Sequence, residues 1–383
     1  MYELRDYQQE ASDAAVKFFQ TKSKDNGIII LPTGAGKSLV IAEIAYRLDA
    51  PVLVFQPSKE ILEQNYDKLM SYGILDAGIF SASFNRREIR KITFATIGSV
   101  KNYKDYFRKF KYVIIDECHG VNPQGGMYKE FIETIQCKVL GLTATPYRLH
   151  STLLYGSILK FLTRTRPRIF NKVLYHVQIG TLLQRGYLAE MNYYPVRCVD
   201  QRKLHVNSTG ADFTDKSVKK HYKEINFKQW LVHYIERLLK AGRESILVFT
   251  RFVEEAEYLS RVVNGAEYVS GDTPKSERER ILRDFKEKRV QVVANVGVLT
   301  TGFDFPELAT IVLGRPTMSL SLYYQMCGRA IRPYKGKVSW VVDLCGNYDR
   351  FGKVDELELK QEMPGCWAVY SGSRQLTNVY FNQ

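Results

Sequence analysis

Cysteine is scarce and scattered in this chain. The six cysteines, at positions 118, 137, 198, 327, 345 and 366, include no Cys-x-x-Cys pair. That excludes a zinc site of the usual spacing and a disulfide framework, and it points to reduced thiols in a cytosolic setting. The six histidines show no ligand spacing either, and they read as structural or surface residues. No run of 18 apolar residues occurs, and Met1-Tyr2-Glu3-Leu4-Arg5-Asp6 lacks an apolar signal core. A soluble, cytoplasmic protein with no membrane segment is therefore expected. Low-complexity sequence is absent too. Acidic residues run short, 41 against 55 basic ones.

That shortage leaves a net charge of +14 and a pI near 9.3, which favours a polyanionic partner, nucleic acid above all. The 383 residues are 45% hydrophobic, enough for two or three domains with ordinary cores.

The stretch Leu31-Pro32-Thr33-Gly34-Ala35-Gly36-Lys37-Ser38 stands between an apolar run, Gly27-Ile28-Ile29-Ile30, and the helix-like Leu39–Ala45. Strand, glycine loop and helix are the setting of a phosphate-binding loop, although Leu31 stands where its first glycine is usual. Pro32, Thr33, Gly34, Ala35 and Gly36 would bring backbone N–H groups onto phosphate oxygens at a helix N-terminus. Lys37 would reach the β- and γ-phosphates and Ser38 would ligate Mg²⁺, so ATP and Mg²⁺ are the expected cofactors.

Strands read at Gly27–Leu31, Val52–Gln56, Ile92–Ala95, Tyr112–Asp116 and Lys138–Leu142, with helices at Asp6–Phe19, Lys37–Leu48, Lys59–Ser71 and Tyr128–Ile135. Such alternation predicts a parallel sheet covered on both faces. The pattern weakens around Thr163–Asp215 and resumes with strands at Ser245–Phe249, Glu267–Val269, Val290–Ala294, Thr310–Leu313 and Val338–Val342. Helices Phe252–Val263, Pro274–Lys286 and Ser319–Ala330 lie between them, and Thr273-Pro274 fits an N-cap with proline at N1. The fold class is thus α/β: two tandem domains, 1–195 and 196–360, each a mainly parallel sheet flanked by helices. A C-terminal extension, 361–383, has no assignable structure.

Tyr112-Val113-Ile114-Ile115-Asp116-Glu117-Cys118-His119 is an apolar strand ending in paired acids. Both carboxylates would stand at the nucleotide edge of the sheet, Asp116 holding Mg²⁺ and Glu117 activating water.

Asp116-Glu117-Cys118-His119 resembles the Walker B box of superfamily 2 helicases in its DECH spelling, and further motifs of that superfamily follow in order. The resemblance implies two RecA-like domains with ATP between them. It implies that Arg5 and Gln8, in Leu4-Arg5-Asp6-Tyr7-Gln8, read the adenine. Gln56-Pro57-Ser58 and Phe94-Ala95-Thr96 resemble loops that touch the nucleic-acid backbone, through Pro57, Ser58 and Thr96. Thr143-Ala144-Thr145 resembles the motif that couples nucleotide state to strand binding, with Thr145 at the strand. In the second domain, Val248-Phe249-Thr250-Arg251 and Val269-Ser270-Gly271 occupy strand-contacting places, carrying Arg251, Ser270 and Gly271. Thr300-Thr301-Gly302-Phe303-Asp304 resembles the fifth motif, with Thr300 at the strand and Asp304 at the ribose. Gln325-Met326-Cys327-Gly328-Arg329-Ala330-Ile331-Arg332 matches the sixth. At helical spacing, Gln325, Gly328, Arg329 and Arg332 share one face, and Gln325, Arg329 and Arg332 would meet the γ-phosphate.

The Gly328-Arg329-Ala330-Ile331-Arg332-Pro333 spelling resembles the DNA-acting branch of XPB-like proteins, phage UvsW-like helicases and restriction-enzyme motors. It implies a DNA helicase or translocase acting on single-stranded or branched DNA, 3′ to 5′, as a monomer. Two alternatives stand beside it: a duplex-DNA translocase subunit of a restriction-type system, and an RNA helicase or double-stranded-RNA-sensing ATPase. Two basic-aromatic stretches, Lys101–Lys109 and Arg164, Arg166, Arg168 and Lys172, would widen a nucleic-acid footprint.

Overall fold

The structure is a computed structural model that describes residues 3–152, 156–299 and 305–380. In the first half the strands run β1 (Gly27–Ile30), β2 (Val52–Phe55), β3 (Ala77–Ser81), β4 (Arg86–Arg87), β5 (Ile92–Ala95), β6 (Tyr112–Ile115) and β7 (Lys138–Thr143). A hairpin of β8 (Tyr147–Thr152) and β9 (Gly156–Phe161) follows, then β10 (Lys172–His176). Among the described residues the first sheet has the order β10-β1-β7-β6-β2-β5-β3-β4, parallel except for the β3–β4 pair. Its central strands are apolar throughout, because helices cover both faces. Ile28, Ile29, Leu53, Val54, Val113 and Ile114 are fully buried.

The second sheet contains β11 (Met191–Pro195), β12 (Ile246–Thr250), β13 (Ala266–Val269), β14 (Val292–Asn295), β15 (Thr310–Gly314) and β16 (Ser339–Asp343). Its order is β11-β16-β15-β12-β14-β13, all parallel. β11 pairs with β16, so Met191–Pro195 belongs with the second sheet, ahead of the boundary expected after 195. One apolar core runs from the first sheet into one face of the second. The other face has its own core beneath helices Asp215–Glu224 and Phe227–Lys240.

Three local expectations change. The helix after β13 begins at Lys275, with Pro274 as its N-cap, because the Thr273 hydroxyl accepts from the Ser270 amide instead of capping. The helix expected to reach Ala330 ends at Cys327 with Gly328 as its cap. The extension expected to lack assignable structure carries strands: β17 (Leu357–Met363), β18 (Cys366–Ser371) and β19 (Arg374–Gln375) form an antiparallel sheet.

Candidate functional site

The site begins at the carboxyl end of β1, where Gly34 at φ +84° and Gly36 at φ +78° turn the loop into the Lys37–Arg47 helix. Both values suit glycine alone, and a Cβ on Gly36 would lie 2.5 Å from Gln8 Nε2. The Asp6–Gln20 helix grips the loop from outside. Tyr7 Oη and Gln8 Nε2 each donate to the Ala35 carbonyl at 2.9 Å, and Gln8 Oε1 accepts the Arg5 amide at 3.0 Å. Gln8, expected at a base edge, is thus bonded to the phosphate loop. The Arg5 guanidinium lies 4.3 Å from the centre of the Tyr187 ring.

At the end of β6 the Asp116 carboxylate is buried and accepts the Glu117 amide at 2.9 Å. Glu117 takes φ +47°, a left-handed conformation uncommon outside glycine and characteristic of functional turns. It aims its carboxylate back across the loop, 3.5 Å from Lys37 Nζ. Burial and the adjacent Glu117 charge push the Asp116 carboxyl up. Burial opposes the charge of Glu117 as well, but Lys37 and His119 outweigh it and hold that carboxyl down.

His119 is the residue the sequence reading missed, having been grouped with structural or surface histidines. Its Nδ1 lies 2.9 Å from Thr143 Oγ1, 3.1 Å from Thr145 Oγ1 and 3.3 Å from Glu117 Oε2. One imidazole therefore joins the end of β7 to the acid beside the phosphate loop. Its place as the last letter of the Asp116–His119 box was the available signal.

The second domain closes the site. Gln325, Arg329 and Arg332 line one cavity of about 720 Å³ together with Arg5, Thr33, Gly34, Gly36, Lys37, Ser38, Asp116 and Glu117. Arg329 and Arg332 lie in the turns beyond the helix rather than on a continued helical face. Burial pushes the Arg329 guanidinium down to about 10, and Arg332 down as well. Two guanidiniums lining the same cavity as the phosphate loop suit an anionic ligand, to which they donate in forks. Lys68, on the Lys59–Ser71 helix, lines the same cavity without any sequence signal.

The expected strand-contacting residues divide. Pro57 is exposed, Ser58 caps the Lys59–Ser71 helix by accepting the Ile61 amide at 3.3 Å, and Thr96 Oγ1 lies 3.0 Å from Ser99 Oγ. They stand at the ends of the neighbouring strands β2 and β5. Gly271 is exposed with open space around it. Thr145 and Ser270 are buried. Arg251, expected at the nucleic-acid surface, is instead held inside the second domain. Its guanidinium donates to Asp215 at 2.9 Å, the Phe213 carbonyl at 2.6 Å and the Pro316 carbonyl at 3.3 Å. Thr300 and Asp304 lie outside the described residues.

Two family models match this chain in tandem. Residues 1–148 match the res subunit of type III restriction enzymes, and residues 229–334 match the helicase conserved C-terminal domain. In tandem the two matches make the chain similar to the superfamily 2 helicases. Among its relatives, the DNA 3′-5′ translocase XPB2 of Sulfurisphaera tokodaii is 25% identical over 89% of the chain and 81% of that protein. The putative ATP-dependent helicase IRC3 of Saccharomyces cerevisiae is 26% identical over 87% of the chain, which spans only 50% of the yeast protein. A fragment of a putative HsdR subunit of a type I restriction enzyme from Vibrio vulnificus superposes with a TM-score of 0.69 at 22% identity. That superposition covers 92% of this chain and 66% of the fragment. It shows the tandem RecA-like fold shared by both proteins.

Proposed function

We propose that this chain is an ATP-dependent DNA helicase or translocase. The observation that carries the reading is the single cavity where Lys37, Ser38, Asp116 and Glu117 of one domain face Gln325, Arg329 and Arg332 of the other. ATP bound on the glycine loop would place its γ-phosphate toward both arginines, which donate in forks to phosphoryl oxygens. Ser38 and Asp116 are hard oxygen donors facing the same space, a set that suits Mg²⁺. The ion would neutralise charge developing on the phosphates. Glu117, held ionised by Lys37 and His119, is the base for the attacking water.

Nucleotide favours the closed cleft to the extent that it binds the arginines only there, so hydrolysis biases the domains toward parting. Pro57, Ser58, Thr96 and Gly271 supply backbone contacts on the two domains, and alternate closure walks the protein along a strand. The name of the Sulfurisphaera relative supports 3′-to-5′ movement. The activity is assigned to a monomer in the cytoplasm, where branched DNA is remodelled. No helix among the described residues is long and apolar enough to cross a membrane.

A second reading, a duplex-DNA translocase subunit serving a separate nuclease chain, draws support from the match of residues 1–148 to a restriction-enzyme res subunit. ATPase rates with single-stranded DNA, blunt duplex, fork, four-way junction and matched RNA decide among the readings. Stimulation by single-stranded or forked DNA with strand displacement supports the helicase. Stimulation by blunt duplex without displacement supports the translocase subunit, and stimulation by RNA alone overturns both.

A further inference from the structure

After the second sheet the chain returns to the first domain. Gln178 Nε2 donates to the Leu359 carbonyl at 2.7 Å, and Gln178 Oε1 accepts the Leu359 amide at 3.0 Å. The His176 and Trp367 rings meet at 4.7 Å. The segment after β19 then lies along β9. The Asn378 amide donates to the Leu159 carbonyl at 2.6 Å, its side chain accepts the Phe161 amide at 3.0 Å, and Tyr380 forms a bridge with Ile158.

A basic cavity opens on each side of this segment. The first, about 370 Å³, is bounded by Asn378 and lined by Lys160, Arg164, Arg166 and Arg168. Three of these four were singled out by the sequence, and the ATP cleft uses none of them. The second, about 860 Å³, is bounded by Val379 and Tyr380 and lined by Arg197, Arg202, Arg350 and Arg374, with Asp200 and Asp349. Carboxylates offset part of the charge: Arg164 pairs with Glu362 at 3.2 Å, Arg197 with Asp349 at 2.8 Å and Arg202 with Asp200 at 2.9 Å. Three of the other guanidiniums have neutral partners. Arg350 Nε donates to Gln201 Oε1 at 2.8 Å, Arg374 to the Arg350 carbonyl at 2.5 Å and Arg166 to the Thr165 carbonyl at 2.9 Å. Arg166 and Arg168 are exposed.

The position of these cavities separates them from the loops at Pro57-Ser58 and Thr96. Those loops follow β2 and β5, whereas the first cavity is lined by β9 and by residues 163–168, in the segment that leads to β10, the edge strand beyond β1. A strand held on the β2 and β5 loops leaves this face vacant, and a second strand or arm has its charge to meet.

We propose that the two cavities form a second nucleic-acid track, spanning both domains along residues 376–380, that holds the backbone of a second strand or arm of a branched substrate. The proposal rests on the reading of the chain as a nucleic-acid motor. Guanidinium forks match phosphate oxygens, and contacts of this kind position a duplex without reading its sequence. The exposed Tyr380 ring lines the second cavity, an aromatic surface for an unpaired base.

The test is fluorescence anisotropy of a forked and a single-stranded DNA of equal length, across a salt series. It compares wild type, Arg166→Glu with Arg168→Glu, and Arg202→Glu. Arg166 and Arg168 come from the first-domain cavity and Arg202 from the second, all on exposed positions. Each variant is expected to weaken fork binding about tenfold and to flatten the fork's salt slope by roughly one or two. Single-strand affinity is expected to stay within about twofold of wild type. Variants that bind the fork as wild type does, or that lose fork and single strand alike, overturn the track alone. Wild type that binds neither DNA overturns the motor reading and the track with it. If poly-glutamate displaces the fork at equal charge and the variants lose poly-glutamate binding too, the surface belongs to an acidic protein and the nucleic-acid assignment falls.

Discussion

Gly328 and Thr33 meet across the domain boundary with no room for a methyl group. A Cβ on Gly328 would lie 2.9 Å from Thr33 Cγ2 and 3.0 Å from the Tyr324 carbonyl oxygen. Thr33 belongs to the phosphate loop and Gly328 ends the helix that delivers Arg329 and Arg332, so this contact sets how closely the arginines approach the nucleotide. Overpacking of this kind costs ~1–3 kcal/mol. Gly328→Ala should therefore lower kcat by roughly 5- to 100-fold while ATP still binds to the first domain. Steady-state ATPase with a nucleotide-binding titration reads both quantities.

The catalytic assignments separate by phenotype. Lys37→Ala should abolish turnover and weaken ATP binding. Glu117→Gln should bind ATP and turn over poorly. Arg332→Ala should retain binding and lose ~10³–10⁵ in rate, the worth of an arginine finger in related phosphoryl transfers. Normal turnover by Arg332→Ala would falsify the finger role.

His119 holds Glu117 from the side opposite Lys37. Its removal should let that carboxylate swing, and misplacement of about 1 Å costs on the order of 10²-fold in rate. His119→Ala is expected to reduce DNA-stimulated kcat by about that factor with little change in ATP affinity. His119→Asn, which keeps a polar group toward the Thr143 and Thr145 hydroxyls, should recover part of it. Failure of His119→Ala to change kcat sinks the positioning role.

Glu255 supplies a pH test of stability. It is buried in the second domain, its Oε2 has no hydrogen-bond partner among the described residues, and burial raises its carboxyl from 4.5 to about 7. The folded state therefore binds more protons than the unfolded chain between those values, so stability falls as pH rises through that window. At about 1.4 kcal/mol per unit, the loss is on the order of 3–4 kcal/mol. Glu255→Gln should raise Tm at pH 8 and leave it nearly unchanged at pH 4.5. An equal gain at both values would mean the carboxyl does not retain its proton.

Arg251 is a matter of folding rather than grip. Arg251→Ala removes the donor to Asp215 and to the Phe213 and Pro316 carbonyls, while Asp212 keeps Arg315 and the Met318 amide, and should cost ~1–3 kcal/mol of second-domain stability. Denaturant titration measures the loss. A fall in the salt slope of DNA binding, with stability intact, would return Arg251 to the nucleic-acid surface.

The parts of the site that were legible are those written in local sequence. Glycines at 34 and 36 announce a turn needing positive φ, and an apolar strand ending in Asp116-Glu117 announces its own register. Less legible was anything set by a distant partner. The bond from Gln8 to the Ala35 carbonyl carries no local signal, and Arg251 looks like a surface cation until Asp212 and Asp215 surround it. The Arg329 and Arg332 helix was drawn one turn too long because their periodicity fits a helix, whereas Gly328 caps it against Thr33. β10 and β11 escaped because edge strands that pair on one side carry polar residues, as in Asn192, Tyr193 and Tyr194. The closing hairpin escaped because its partner, Gln178, lies far away in sequence.

The return of β17–β19 to the first domain gives the two domains a second covalent crossing besides the one between β10 and β11. Bodies joined at a single point can swing in any direction and twist freely. Bodies joined at two points share a line between them, and relative motion reduces to one rotation about that line. In the motor proposed above, one permitted rotation would repeat the same stroke on every cycle.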